Sequence, residues 1–98
     1  MGSGELGMAP FLVEWYGHAA GAGSIGETAG RINDGAASVL ADGVRIRLLV
    51  ALAIPTDDYA FGVFAAESAD AVARLCADAG APPDRISAAV GWLRTPDR

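Results

Sequence analysis

The chain has 98 residues, of which 52% are hydrophobic, and its formal net charge of −5 comes from twelve acidic residues and seven arginines without any lysine. This length predicts one domain, and the lack of a basic stripe excludes nucleic acids and anionic membranes as expected partners. A domain this small cannot enclose so much apolar side-chain area, so we expect a homodimer.

The cysteine content and the length of the apolar runs bear on the cellular location of the protein. Cys76 is the single cysteine, so no disulfide can form within the chain. The longest apolar run, residues 48–54, is far shorter than a membrane-spanning helix requires. A signal peptide has a basic segment followed by an apolar one, and the sequence does not show this pattern. We therefore expect a cytoplasmic protein. Arginine without lysine, beside abundant alanine and glycine, is typical of a GC-rich bacterial genome.

The first half of the chain predicts a strand and a helix. Residues 1–10 lack periodicity and are expected to form a flexible tail. Alternating apolar residues over 11–16 predict the first strand. Ser24 and Glu27 match a capping box, whose side chains satisfy backbone donors at a helix start, and Gly43 supplies the left-handed residue that ends the helix. The apolar stripe of this helix is Ile25, Ala29, Ile32, Ala36 and Val39.

The next segment predicts a β-hairpin. Two alternating runs, residues 44–54 and 59–65, flank a turn that begins at Pro55 and ends at Asp58. A connection this short makes the two strands antiparallel. Alternation and size place the larger side chains on the core face: Val44, Ile46, Leu48, Val50, Leu52, Ile54, Tyr59, Phe61 and Val63.

The last third of the chain predicts a second helix and a final strand. Ser68 caps the helix and Gly80 ends it. Residues 86–93 alternate as a strand, and residues 94–98 are expected to be a loose C-terminus. Trp15 and Trp92 are expected to anchor the core. The apolar stripe of the second helix is Ala69, Val72, Ala73, Cys76 and Ala79.

The element order βαββαβ over residues 11–93 predicts an α+β, ferredoxin-like domain, with a four-stranded antiparallel sheet and two helices on one face. We expect the first and third strands to form a parallel central pair. The second sheet face is then uncovered, and its small or apolar side chains suit a homodimer contact or a shallow small-molecule cavity. Its predicted members are Glu14, Tyr16, Arg45, Arg47, Leu49, Ala51, Ala60, Gly62, Phe64, Ser87, Ala89 and Gly91.

A glycine-rich segment, residues 21–26, matches the G-x-G-x-x-G dinucleotide fingerprint. That fingerprint belongs to consecutive parallel strands with an acidic residue after the second strand. Here the second strand turns straight back, and Asp42 precedes it. We therefore predict a flexible loop and no cofactor, with a small anion at the helix start as the remaining alternative.

His18 is the only histidine and lies just beyond Glu14 and Tyr16. Arg45 and Arg47 are expected to reach the same end of the uncovered face. The candidate catalytic residues are then His18 as acid or base, Arg47 as the ligand of a carboxylate or enolate-like oxygen, and Glu14 and Tyr16 beside them. The alternative is structural, with Glu14 paired to an arginine and His18 solvated.

Possible metal ligands are His18, Glu14, Asp57, Asp58 and Cys76. No two of them have the spacing of a known metal site. We expect Asp57 and Asp58 at the opposite end of the sheet from His18, and Cys76 as a small core residue. These residues therefore predict no metal site.

Four segments carry a resemblance to a known family. They are Phe11-Leu12-Val13-Glu14, Phe61-Gly62-Val63-Phe64-Ala65, Ser68-Ala69-Asp70-Ala71-Val72 and Gly80-Ala81-Pro82-Pro83-Asp84-Arg85-Ile86. Over residues 11–93 the chain resembles a family of small actinobacterial ferredoxin-like domains of unknown function that includes a nickel-binding protein. The resemblance implies a dimer packed through its sheet faces. Metal-binding members carry histidines in the first strand and the helices, where this chain has Val13-Glu14-Trp15 and no helical histidine.

Three functional hypotheses follow. The first is a dimeric domain that binds a small molecule or acts as an accessory protein. The second is a cofactor-free enzyme of the dimeric α+β barrel type, an isomerase, cyclase or monooxygenase, that uses His18, Glu14, Tyr16 and Arg47. The third, from the resemblance alone, is nickel binding.

Overall fold

The computed structural model describes residues 7–17 and 24–91. These residues form four strands and two α-helices in the order β-α-β-β-α-β, which confirms the α+β, ferredoxin-like fold. The last strand ends at Ala88, and residues 89–91 are not in a strand, so its predicted continuation through these residues is wrong. Residues 92–93 of the predicted strand, the loose C-terminus and Trp92 lie outside the described residues. The elements are β1 (Ala9–Tyr16), α1 (Ile25–Leu40), β2 (Ile46–Ile54), β3 (Tyr59–Ala66), α2 (Ala69–Asp78) and β4 (Arg85–Ala88), with a 3₁₀ turn at Pro55–Asp57.

The sheet has the strand order β2-β3-β1-β4, and each pair of neighbours is antiparallel. The prediction of a parallel central pair is therefore wrong. The hairpin reverses the chain direction between β2 and β3, so these two strands are antiparallel. β3 also pairs antiparallel with β1. The described sheet thus contains no adjacent parallel strands, unlike the sheet of a dinucleotide-binding unit. Residues 21–23 of the glycine-rich segment, where a flexible loop was predicted, lie outside the described residues.

The helix boundaries follow local signals with one exception. Ser68 has an extended backbone, and its Oγ accepts a hydrogen bond from the Ala71 N–H at 3.1 Å, as expected of an N-cap. Ser24 has a helical backbone instead, and its side chain makes no capping hydrogen bond, so the predicted capping box does not form. Gly43 and Gly80 adopt the expected left-handed conformation, with φ of +89° and +81°. None of the described helices is long and apolar enough to cross a membrane.

Both helices pack on one face of the sheet and enclose an apolar core. Trp15 is 2% exposed, and its indole Nε1 donates a hydrogen bond to the Ala81 carbonyl oxygen at 2.8 Å. Cys76 is fully buried, which confirms its role as a core residue, and this burial raises its pKa to about 12. The buried core residues are Phe11, Val13, Trp15, Ile32, Ile46, Ala60, Phe64, Ala66, Val72, Leu75, Cys76 and Ala81.

The side-chain orientation of β3 is the reverse of the predicted one. Phe64 and Gly62 pair directly with Phe11 and Val13, and directly paired residues project to the same face. Phe64 is fully buried, whereas Phe61 lies on the opposite face and is only partly buried. Apart from Phe64, the β3 residues that face the helices are alanines and a glycine, and at Gly62 the Trp15 ring occupies the space that a side chain would need. A Cβ on Gly62 would lie 3.3 Å from Trp15 Cη2.

Strand β2 changes face part-way along its length. The register of β2 against β3 shifts between Leu48 and Val50, as in a β-bulge. Before the bulge, Ile46 is buried toward the helices; after it, Val50 and Leu52 are exposed on the other side. The predicted unbroken alternation from Val44 to Ile54 is therefore wrong, because the bulge inserts one residue.

These two corrections change the character of the uncovered sheet face, which we call the open face. It is formed by large apolar and aromatic side chains, not by the alanines and glycines that were predicted. A few polar groups interrupt it. Its members are Leu12, Glu14, Tyr16, Arg47, Val50, Leu52, Ile54, Tyr59, Phe61, Val63, Ala65, Arg85 and Ser87.

Candidate functional site

A polar cluster lies at one end of the open face. Glu14 on the central strand β1 pairs with Phe61 on one side and with Arg85 on the other. Two residues further along, Tyr16 pairs with Tyr59. We call Glu14, Tyr16, Tyr59 and Arg85 the open-face cluster. The antiparallel pairing brings its members together from three different strands.

The Glu14 carboxylate is the centre of this cluster. Tyr59 donates its hydroxyl hydrogen to Oε2 at 2.8 Å, and Tyr16 donates to Oε1 at 3.2 Å. Arg85 Nε lies 3.8 Å from Oε1, and the Arg85 side chain is 67% exposed against 17% for Glu14. The carboxylate is therefore fixed chiefly by two phenols, with a solvated arginine at its border.

Backbone contacts hold the end of β1 in place beneath the cluster. The Tyr16 N–H donates to Asp84 Oδ2 at 2.8 Å, and the Asp84 N–H donates to the Glu14 carbonyl oxygen at 2.9 Å. On the other side, the Gly17 N–H donates to the Asp58 carbonyl oxygen at 2.7 Å. The hydrogen bond between Gly17 and Asp58 places the turn before β3 beside the end of β1.

An aromatic row accompanies the carboxylate. The rings of Tyr16 and Tyr59 stack with their centroids 6.0 Å apart and an interplanar angle of 22°. Phe61 continues the row, 6.0 Å from Tyr59. Such offset rings present an extended apolar surface next to a charged acceptor.

The contacts with Glu14 also determine the protonation of the phenols. The hydrogen bond to the carboxylate, followed by partial desolvation, raises the pKa of Tyr59 above its ordinary value of 10.0. Partial desolvation, followed by the hydrogen bond to Glu14, raises the pKa of Tyr16 as well. Both phenols are thus protonated donors at neutral pH, and both direct their hydrogen to Glu14.

We expect the Glu14→Gln variant to lower the pKa of both phenols toward 10. The chain contains two tyrosines, so the phenolate absorbance near 295 nm reports on this pair alone. Because the folded-state pKa is raised, the stabilisation from these bonds is complete below pH 10 and is lost as pH rises through the folded pKa. An alkaline absorbance titration of the two proteins measures the difference. Identical titration curves would contradict the geometry of the cluster.

An apolar groove adjoins the cluster on the same side of the sheet. It has a volume of about 560 Å³. Val63 lies two residues from Phe61 along β3, so the groove begins about 7 Å from the row that contains Glu14. The groove is lined by Pro10, Leu49, Val50, Val63, Ala89, Val90 and Gly91.

The candidate residues predicted from sequence are only partly brought together. Glu14 and Tyr16 are neighbours as expected, whereas His18 lies outside the described residues. Arg47 pairs with Ala65, four residues along β3 from Phe61, so it lies toward the opposite end of the open face. Its predicted place beside Glu14 is wrong because β2 runs parallel to β1, so the start of β2 lies far from the end of β1.

Two members of the cluster were missed. Tyr59 was assigned to the core face, and correct pairing of β3 with β1 would have found it. Arg85 precedes the predicted final strand by one residue, and the structure extends β4 to include it. Arg85 occupies the position beside Glu14 that was predicted for Arg47.

The possible metal ligands are also rearranged. The Gly17 N–H donates to the Asp58 carbonyl oxygen, so the Asp57–Asp58 turn lies at the end of the sheet where β1 ends, not at the opposite end as predicted. The antiparallel pairing of β1 and β3 is the reason. His18 itself lies outside the described residues. Within residues 7–17 and 24–91, no group of three or more His, Cys, Asp or Glu side chains is arranged to hold a metal ion.

Comparison with known proteins gives no match: no family model fits the chain, and no curated protein or solved structure is significantly similar to it. The resemblance to the actinobacterial family stays a prediction. The function must therefore be inferred from the open face itself.

Proposed function

We propose that this protein is a small-molecule-binding domain that works as a homodimer, with the ligand held between two open faces. The observation that carries the proposal is the Glu14 carboxylate, which is only 17% exposed on a largely apolar face and is fixed by two phenols. A buried charge is costly unless it is well bonded. We therefore infer that the Glu14 carboxylate serves to recognise a ligand and not to stabilise the fold.

The hydrogen-bonding pattern indicates the ligand class. Both phenolic hydrogens are used on Glu14, so Tyr16, Tyr59 and Glu14 together present only acceptor lone pairs. A ligand group that binds to these three side chains must donate a hydrogen bond. The aromatic row and the apolar groove beside it favour a flat, mostly apolar molecule. We infer an aromatic or alicyclic compound with one N–H or O–H group.

A second copy supplies the other wall of this site. The groove and the cluster share the open face, which one copy leaves uncovered. Packing two such faces would bury the apolar side chains and enclose the groove. The Glu14 carboxylate would then lie at one end of an apolar cavity, where a single hydrogen bond gives orientation and specificity.

Indole and benzofuran test this proposal, because they have nearly the same shape and only indole carries an N–H donor. We expect indole to bind roughly ten-fold more tightly, as one hydrogen bond to a charged acceptor predicts. Chemical-shift titration by NMR measures both affinities and shows whether the Glu14, Tyr16 and Tyr59 resonances respond.

Matched variants locate the effect. Glu14→Gln should reduce the preference for indole, whereas Glu67→Gln, the same change at an exposed turn after β3, should leave it unchanged. Equal binding of the two probes by the unmodified protein, or an unchanged preference in Glu14→Gln, would rule out this site.

A cofactor-free enzyme of the dimeric α+β barrel type is the second candidate. The observation in its favour is the 2.8 Å contact between the Tyr59 hydroxyl and Glu14, which joins a proton donor to a carboxylate at the proposed ligand position. Such a pair suits proton transfer in an isomerase or cyclase. For any compound that is turned over, Glu14→Gln and Tyr59→Phe should both lower kcat by about a hundred-fold or more. Unchanged turnover in either variant would rule out the Tyr59–Glu14 pair as the catalytic groups.

A further inference from the structure

The open-face cluster combines a carboxylate with aromatic rings, and both attract positive charge. Tyr16 is 49% exposed, and its ring stacks with that of Tyr59, which Phe61 follows at 6.0 Å. The face of an aromatic ring carries partial negative charge, so it attracts a cation within about 6 Å of its centre. Both phenols donate their hydrogens to Glu14, which polarises the rings further in this sense. A ligand donor with a full positive charge therefore interacts favourably with the carboxylate and with the rings.

The charged side chains around the cluster are mostly negative. Asp84 Oδ2 accepts a hydrogen bond from the Tyr16 N–H at 2.8 Å, which brings a second carboxylate close to Glu14. The turn Asp57–Asp58 adds two more carboxylates at the same end of the sheet. Against these four acidic groups, the described sheet and its turns supply one guanidinium at this end, that of Arg85.

The other arginines of the described residues do not offset this charge. Arg45 and Arg47 lie at the start of β2, which is at the opposite end of the sheet. Arg31 and Arg74 belong to the helices on the other face, and Arg31 donates to the Ala79 carbonyl oxygen at 2.8 Å. The electrostatic potential at the cluster is therefore negative, which favours a cationic ligand over an anionic one.

We propose that the ligand is an organic cation, in which a short carbon chain joins a protonated amine to an aromatic ring. The proposal rests on the ligand site of the proposed function and adds the charge of the ligand. The ammonium group donates to Glu14 beside the tyrosine rings, and the aromatic ring enters the apolar groove. The groove begins about 7 Å from the row that contains Glu14. With bonds of about 1.5 Å, a chain of two carbons brings the far edge of the ring to that distance.

Three probes with the same ring and a two-carbon chain test the charge of the ligand. They are phenethylamine, which is a cation at neutral pH, phenethyl alcohol, which is neutral, and phenylpropionate, which is an anion. We expect the amine to bind about ten-fold more tightly than the alcohol, because hydrogen bonds between two charged groups are the stronger ones. Phenylpropionate should bind at least ten-fold more weakly than the alcohol. Chemical-shift titration by NMR at pH 7 and low salt measures the three affinities.

Two variants beside the site should change the ratio of amine to alcohol affinity in opposite directions. Asp84→Asn removes a negative charge but keeps an oxygen that can accept from the Tyr16 N–H, so the ratio should fall about two- to three-fold. Arg85→Gln removes the positive charge, so the ratio should rise by a similar factor. Asp70→Asn is the matched control, because Asp70 is exposed at the start of α2 near the opposite end of the sheet, and it should leave the ratio unchanged.

The outcome is separable from that of the proposed function. Equal affinities for phenethylamine and phenethyl alcohol would overturn the cationic ligand, even if indole still binds more tightly than benzofuran and the acceptor site stands. A failure of both pairs of probes to show a difference would remove the site itself. Asp84→Asn and Arg85→Gln that do not move the ratio in opposite directions would also overturn the cationic ligand.

Discussion

Phe64→Ala is expected to lower the free energy of unfolding by about 3–5 kcal/mol, the range for removing a fully buried phenylalanine. Phe61→Ala, three residues earlier on the same strand, should cost about 1 kcal/mol, because its ring lies on the open face and is only partly buried. The pair forms a matched test, since both substitutions remove the same atoms from β3.

Urea unfolding monitored by circular dichroism measures these two losses. Repeating it at several protein concentrations separates the contribution of association, which changes with concentration, from that of the core. A larger loss for Phe61→Ala than for Phe64→Ala at low concentration would mean that β3 faces the way its side-chain sizes suggest, contrary to the structure.

Val63→Lys is expected to abolish contact between two open faces while the fold is retained. Val63 pairs with Leu12 and Val50 and lines the apolar groove, so it lies in the middle of the proposed interface. In a single copy the lysine stem can lie along the sheet with its ammonium group in water. Between two packed faces the charge would be buried without a partner. We expect face-to-face association to weaken by at least a hundred-fold.

Leu40→Lys is the control for this experiment. Leu40 is 59% exposed at the end of α1, away from the open face, so the same residue change should leave association intact. Light scattering and sedimentation at micromolar concentration give the masses. If the unmodified protein is a monomer there, or if both variants have its mass, the open face is not a self-association surface.

Local signals in the sequence are sufficient for the elements and their order. Ser68 and Gly80 delimit α2, Gly43 ends α1, and the turn before Tyr59 makes the hairpin, because each depends on a few adjacent residues. Trp15 and Cys76 could also be placed in the core by periodicity alone. Glu14 and Tyr16 were recognised as neighbours for the same reason, since they lie two residues apart on one strand.

The assignment of side chains to the two faces required the tertiary structure. A strand shows alternation but not which of its sides faces the helices, so the small residues of β3 were placed outside. The Trp15 ring reverses that choice, because it fills the space above Gly62. The bulge at Leu49 could not be predicted either, because residues 48–54 form an unbroken apolar run with no local signal for it. The bulge places Val50 and Leu52 on the open face.

Composition and local pattern therefore determined that this acidic chain forms a small βαββαβ domain with one sheet face uncovered. Only the strand register decided what that face contains. It brought Tyr59 and Arg85 to Glu14 and moved Arg47 to the other end of the sheet. The physical reason is that these groups come from different strands, and their meeting depends on pairing and packing between residues far apart in the chain.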